Sequence, residues 1–173
     1  NKDLNNKSIN SKLLFEAYEF SKSIVEKTIS ARELSIKKVD NNDINLIKVD
    51  NFELVSNKFT PALDLPKSLG FKNLVVHPLT INPLQKNNNK FVELEQICYG
   101  KFLIQLFVRG NPFIGSDYDN DFWIDVIKNL EIDERLSGII VYGCPYLYDK
   151  IKKNIHKSIP LAYSPSQNEE AQS

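Results

Sequence analysis

Methionine is absent from this chain, and cysteine, histidine, tryptophan and glycine are scarce: two, two, one and six in 173 residues. Each shortage excludes something. Cys98 and Cys144 are far apart and form no CxxC pair, which removes zinc-ribbon and thioredoxin-type chemistry. They read as buried free thiols in a reducing compartment, and so as a cytoplasmic protein. His77 and His156 have no His, Asp or Glu at metal-ligand spacing, so no metal is expected. Both read as structural or surface residues, since an isolated histidine lacks the positioned partner that acid–base work needs. The glycines build no GxGxxG, no GxxxxGK[ST] and no G-x-S-x-G, so the dinucleotide fingerprint, the phosphate loop and the nucleophile elbow are all missing. No cofactor is expected. Nor does any apolar run approach the ~20 residues of a membrane span, and no secretory signal is present. A chain without Met reads as a piece of a longer protein whose native start lies upstream.

Charge excludes further classes. With 22 basic and 22 acidic residues the formal net charge is zero. The lysines are spread out and read as solvated faces, so neither nucleic acid nor an anionic membrane is an expected partner. The apolar fraction of 42% and charged fraction of 25% are those of an ordinary globular protein. A chain of this length folds as one domain and buries about two thirds of its unfolded surface.

Asn1 to Asn10 is polar and reads as a linker or frayed end, leaving residues 11–173 as a single α/β domain. Leu13, Ala17, Phe20, Ile24, Thr28, Ala31 and Leu34 recur at spacings of three and four, which predicts a leading helix over 11–37. Such a helix is roughly 40 Å long. Its first half is expected to bridge to a neighbouring domain and its second half to cover the sheet. Asp40-Asn-Asn-Asp43 is a turn, and Ile44–Val49 a strand. Asn51–Gly70, with Pro61 and Pro66, reads as irregular apart from a short helix near Phe52–Val55. Asn73–His77 is a strand, Ile81–Lys90 a loop, and Phe91–Cys98 a short helix stopped by Gly100.

Phe102-Leu-Ile-Gln-Leu-Phe-Val108 is a buried strand in which Gln105 alone interrupts the apolar run. It stops sharply on Arg109-Gly-Asn-Pro112, and ligands bind α/β sheets outside such carboxyl ends. The loop is expected to run to Asp119. A helix follows over Asp121–Leu130 with Asp121 near its N-cap, then a strand over Ser137–Tyr142. The Gly143-Cys-Pro145 turn leads to a helix over Tyr146–Ile155 with Pro145 at its first position. The last strand is Ile159–Tyr163. Ser166-Gln-Asn-Glu169 has the spacing of a capping box, announcing a C-terminal helix that the sequence appended after it is too short to complete. About five short apolar strands alternating with amphipathic helices predict a layered α/β fold, with a mostly parallel sheet flanked by helices on both faces.

Three segments resemble the C-terminal domain of family 3 glycoside hydrolases. They are Leu103–Phe113, with its Arg-Gly-Asn-Pro-Phe loop; Gly138-Ile-Ile-Val-Tyr-Gly-Cys-Pro145; and Ile159-Pro-Leu-Ala-Tyr-Ser-Pro-Ser-Gln-Asn-Glu-Glu-Ala-Gln172. Ile29–Val39 is similar to the helix leading into that domain from the catalytic barrel. The resemblance implies a retaining glycosidase of β-glucosidase or β-N-acetylhexosaminidase type, acting on terminal β-linked glucose or N-acetylglucosamine. Its nucleophilic aspartate belongs to an N-terminal (β/α)8-type barrel of roughly 250 residues, so the present chain alone is expected to be inactive. In many β-glucosidases of the family a glutamate on a C-terminal-domain loop is the general acid. In the N-acetylglucosaminidase branch a histidine on the barrel takes that part. The loop after Arg109 offers Asp117, Asp119 and Asp121 but no glutamate, a departure that favours the second branch or a purely supporting domain.

The substrate-binding candidates are Arg109, Asn111, Asp117 and Asp119. A guanidinium fork suits carboxylates and sugar hydroxyls, though a loop-fixing salt bridge is the commoner role for an arginine such as Arg109. Asn111 shapes the turn before Pro112 or bonds a sugar. The aspartates fit a solvated loop and helix cap better than a sugar contact. Phe113, Tyr118 and Trp123 read either as a platform for a pyranose ring or as core anchors. Without the resemblance, the chain reads as a non-catalytic ligand-binding or protein-interaction module. A response-regulator receiver lacks its phospho-accepting Asp here, and a half-domain like those of periplasmic binding proteins remains.

Overall fold

A computed structural model describes residues 15–17, 19–20, 22–24, 27–32, 39–49, 61–76, 85–86, 90–91, 99–108 and 117–172. Its centre is a six-stranded sheet. Strands β2 (Ile44–Val49), β3 (Lys72–Val76), β6 (Phe102–Phe107), β7 (Leu136–Tyr142) and β8 (Leu161–Ser164) run parallel, and β1 (Ser30–Arg32) pairs antiparallel with β8. The order across the sheet is β1-β8-β7-β6-β2-β3. A separate two-stranded sheet joins β4 (Gln85–Lys86) to β5 (Lys90–Phe91).

Every residue of β2 and β6 is buried, as expected of parallel strands covered on both faces. Alternation divides them. Leu46, Ile104, Leu106, Ile139 and Val141 pack with Trp123, Ile127 and Leu130 of α2 (Asp117–Ile132) and with Leu147 and Ile151 of α3 (Pro145–Asn154). On the other face Ile47, Val49, Phe107 and Tyr142 pack with Ala62 of α1 (Pro61–Ser68) and Ala171 of α4 (Glu169–Gln172). Winding explains the split. The chain moves outward from β2 to β3 through α1, then returns to the other side of β2 and winds the opposite way through β6, β7 and β8. Right-handed crossovers therefore put α1 on one face and α2 and α3 on the other. The reversal falls between β2 and β6.

The layered α/β fold is as the sequence predicts, with six strands in the main sheet where about five are expected. Several local expectations are corrected. The described residues between 15 and 28 are helical, but the leading helix does not continue to residue 37, because Ser30–Arg32 is β1. Pairing with β8 overrides the helical periodicity. Ser30 Oγ lies 3.2 Å from Tyr148 Oη, and Arg32 Nη2 donates to the His156 carbonyl at 3.1 Å. Residues 61–68 form α1 where an irregular segment is expected. Pro61 suits the first helical position, and a Schellman motif closes the helix: Phe71 N donates to Pro66 O and Gly70 N to Lys67 O, with Gly70 at φ 108°. Helix α2 begins at Asp117, so Asp117 and Asp119 belong to its first turn and not to a loop, and Asp121 is not its N-cap. Carboxylates in a first turn complement the helix dipole. Asn168 caps α4 in place of Ser166, its Oδ1 accepting from Ala171 N at 3.3 Å. Gly100 serves a close approach, since a Cβ there would lie 2.2 Å from the Asn42 carbonyl oxygen. Phe91 belongs to β5, and the rest of the expected 91–98 helix, like that near 52–55, lies outside the described residues.

Candidate functional site

In an open α/β sheet the crevice outside the carboxyl ends of the strands, where the strand order reverses, is the natural ligand site. Here it lies between Val49, ending β2, and Phe107, ending β6. Val108 N donates to Tyr142 O at 3.1 Å, Gly143 N to Ser164 O at 2.8 Å, and Gln167 Nε2 to Tyr142 O at 3.1 Å, which ties the ends of β6, β7 and β8 together. Gly143 has φ 95°, and a Cβ there would come within 2.7 Å of both Val108 O and Gln167 Nε2. Only glycine fits this turn without strain.

On the α1 face, across the amino half and middle of β3, β2 and β6, runs a buried chain of amides. Asn45 and Gln105 are both almost wholly shielded from solvent. Gln105 Nε2 donates to Asn45 Oδ1 (2.8 Å) and to Ala62 O (2.7 Å), and Asn45 Nδ2 donates to Ala62 O and to Asn73 Oδ1, both at 2.8 Å. Tyr142 Oη donates to Gln105 Oε1 at 3.2 Å, and Asn73 Nδ2 to Leu63 O at 3.1 Å. Pro66 makes this possible. In a regular helix Ala62 O accepts from the N–H four residues on, and proline has none. The carbonyl is left open for two side chains from the sheet. At the other end Ala62 N donates to Gln172 Oε1 (3.1 Å), and Gln172 Nε2 to Gln167 O (2.9 Å). One network thus holds β3, β2, β6, β7, α1 and α4 in register. Burial pushes the Tyr142 phenol far above its ordinary pKa, and its ring stacks on Phe107 with centroids 4.3 Å apart.

Lys48 stands at the penultimate position of β2, at the edge of the crevice, and is only 5% exposed. In the sequence it reads as one more solvated lysine. Nothing short of knowing that β2 is central reveals that its side chain is buried.

Asp117 and Asp119 stand in the first turn of the helix that follows β6, while Arg109, Asn111 and Phe113 lie outside the described residues. Trp123 is not a sugar platform, because it is buried in the core with Ile127 and Leu130. Cys144 is a buried free thiol, as expected, and Cys98 and His77 lie outside the described residues. With burial, Cys144 and Asp149 raise the Tyr163 phenol. His156 is exposed, its Nδ1 2.8 Å from Ser158 Oγ and its backbone N–H donating to Glu131 Oε1 at 2.6 Å. Asp43 is buried at the opposite, amino end of β2 and accepts from Asp40 N (3.0 Å) and Lys101 N (2.7 Å), so it fixes a turn. Among the described residues no group of three or more His, Cys, Asp or Glu is placed to hold a metal ion, and no helix is long and apolar enough to cross a membrane.

These features define a doubly wound α/β domain with a crevice at its switch point, and a buried polar network behind it that organises the fold. The family model described as the bacterial glycosyl hydrolase family 3 C-terminal domain matches residues 36–173, most of the chain, and the protein belongs to that family. A search of curated proteins found no match.

Proposed function

We propose that this chain is the accessory C-terminal domain of a retaining glycosidase that removes terminal β-linked N-acetylglucosamine or glucose. The nucleophile and most of the machinery sit on a (β/α)8-type barrel of the same polypeptide. The observation that carries this reading is the family match over residues 36–173. The geometry supports it in two ways. Asn45, Gln105 and Tyr142 are engaged with one another and with α1, which suits a rigid support. Two of the described carboxylates, Asp43 and Glu131, are engaged with backbone N–H groups away from the crevice. Retaining chemistry needs two carboxyl groups roughly 5–5.5 Å apart, and the reading assigns that pair's nucleophile to the barrel. Arg109 and Asn111, which follow β6 in the chain, and Asp117 and Asp119, which open α2, are the residues proposed to close one wall of the sugar site.

Hydrolysis of p-nitrophenyl N-acetylglucosaminide and p-nitrophenyl glucoside, by this chain alone and by the full-length gene product, tests the proposal. Activity confined to the full-length protein is the expected result, and the preferred substrate chooses the branch. Turnover by the isolated chain would overturn the accessory role, and inactivity of both would leave the ligand-binding module as the better account.

A further inference from the structure

The amino-end rim of the sheet, opposite the crevice, is a floor of loops tied to one another. Asp43, in the loop entering β2, accepts the Lys101 N–H of the loop entering β6 at 2.7 Å. Phe102 N donates to Arg135 O at 2.7 Å and Arg135 Nε to Gly100 O at 3.2 Å, which joins the β6 loop to the loop entering β7. Glu131 Oε1 accepts the His156 N–H at 2.6 Å, which joins the end of α2 to the loop entering β8. Two large apolar side chains stand on this floor in solvent, Tyr99 at 92% exposed and Ile132 at 76%. A tied backbone presents such anchors with little further ordering cost on association.

The exposed charges on the four loops alternate in sign. Across the sheet the strands run β8-β7-β6-β2. The loop entering β8 exposes Lys157, that entering β7 exposes Asp133 and Glu134, that entering β6 exposes Lys101, and that entering β2 exposes Asp40. Arg135 and Asp43 leave the pattern intact. The Arg135 guanidinium turns in over the Phe102 ring, 5.2 Å from its centroid, and Asp43 is buried. The rim therefore reads plus, minus, plus, minus. Read from the other end it is minus, plus, minus, plus, so the pattern is its own complement on reversal.

A twofold axis along the sheet normal, passing between β6 and β7, brings two such rims together in reversed order. Lys101 of each copy then faces Asp133 and Glu134 of the other, Lys157 faces Asp40, and the loop bearing Tyr99 lies opposite the end of α2 that bears Ile132. A twofold axis along the rim would instead set each loop against itself, with like charges opposed. We infer that the amino-end rim is an isologous interface with a second copy of this chain. The charge pattern chooses that occupant: a partner must carry the reversed order of signs to satisfy all four loops, and this chain carries it itself. Four strands span only about 15 Å. The contact is therefore small and polar, and the dimer is expected to be salt-sensitive, with a Kd on the order of 10 µM.

Sedimentation velocity on the full-length gene product, at low salt and up to about 100 µM, tests the interface. Lys101→Glu, and separately the double variant Asp133→Lys, Glu134→Lys, oppose like charges in both halves of the dimer. Each should weaken association at least about tenfold, with Tm and circular dichroism little changed. Mixed in equal amounts, the two variant proteins should associate with each other. The new carboxylate of one meets the new lysines of the other, while Lys101 of the second still meets Asp133 and Glu134 of the first. Attraction within one chain cannot produce that rescue. Ile132→Asp should also weaken the dimer, and Tyr146→Ser, at the opposite rim and 80% exposed, should not. A wild type that stays monomeric throughout, a mixture no better associated than either variant alone, or an equal loss from Tyr146→Ser would each overturn the inference.

Discussion

Replacing Gln105 by Leu removes the residue on which the amide network converges. Leu has nearly the same volume, so the cavity term is small and the polar terms decide the outcome. Tyr142 Oη loses its acceptor at 3.2 Å and Asn45 Oδ1 loses its donor at 2.8 Å, while Ala62 O keeps Asn45 Nδ2 at 2.8 Å. Two buried groups are left unsatisfied, each costing about 1–3 kcal/mol. Part of that is offset by burying an aliphatic side chain in place of an amide. The expected net loss is about 3 kcal/mol. The mechanism makes a sharper claim about a pair of substitutions. In Gln105→Leu/Tyr142→Phe the orphaned hydroxyl is gone, so the double variant should be more stable than the sum of the singles predicts by about 1–2 kcal/mol. Urea unfolding of the wild type, both singles and the double, followed by circular dichroism, measures the cycle. Additivity to within about 0.5 kcal/mol, or a Gln105→Leu loss below about 1 kcal/mol, would refute the account of the network as a set of mutually satisfied buried groups.

Two further outcomes follow from the geometry. Gly100→Ala drives a methyl group against the backbone of Asn42 and Asp43, at 2.2 Å from one carbonyl oxygen and 2.8 Å from one amide nitrogen. Backbone on both sides cannot rotate away, so a loss of about 3 kcal/mol and a fall in Tm on the order of 10 °C are expected by thermal denaturation; an unchanged Tm would mean that the turn is free to reshape. Tyr142 gives a pH dependence. Its phenol is held neutral in the folded state by burial, with a pKa raised above the ordinary value near 10. Its contribution is therefore fully present below about pH 10 and is lost as pH rises toward the folded-state pKa, because the unfolded state releases the proton first. Between about pH 10 and 11.5 wild-type stability should fall more steeply than that of Tyr142→Phe, by a slope that rises from about 0.7 toward about 1.4 kcal/mol per pH unit. Parallel curves would place the phenol in contact with water.

How much of this was legible in the sequence depended on whether the cause was local. β2, β6 and β7 announce themselves as apolar runs bounded by turn residues, and their burial on both faces follows from the absence of strict alternation. β1 was illegible, because Ser30-Ala-Arg32 has no strand signature of its own and exists through its partner β8. Lys48 was illegible as a buried side chain for a similar reason, since its burial depends on β2 lying at the centre of a sheet covered on both faces. Of the site candidates, Asp117 and Asp119 prove to open a helix, an arrangement that acidic residues favour but that a loop favours as well.

Gln105 and Pro66 show most clearly what a linear reading misses. Each looks like a defect where it stands: a polar amide in an apolar strand, and a helix breaker four residues after Ala62. Taken separately, the first would leave a buried amide without partners, and the second a helix carbonyl without its N–H. The fold cancels the two faults against each other, with Gln105 and Asn45 supplying the donors that Pro66 withholds from Ala62 O. Neither residue can therefore be judged from its own segment. The pairing also fixes α1 in one register over the sheet, because sliding the helix by one residue would move Ala62 O away from both amides and expose the cost of each fault at once. A support of that kind is rigid across the middle of β2 and β6, behind the carboxyl ends where the sugar-site wall is proposed to stand.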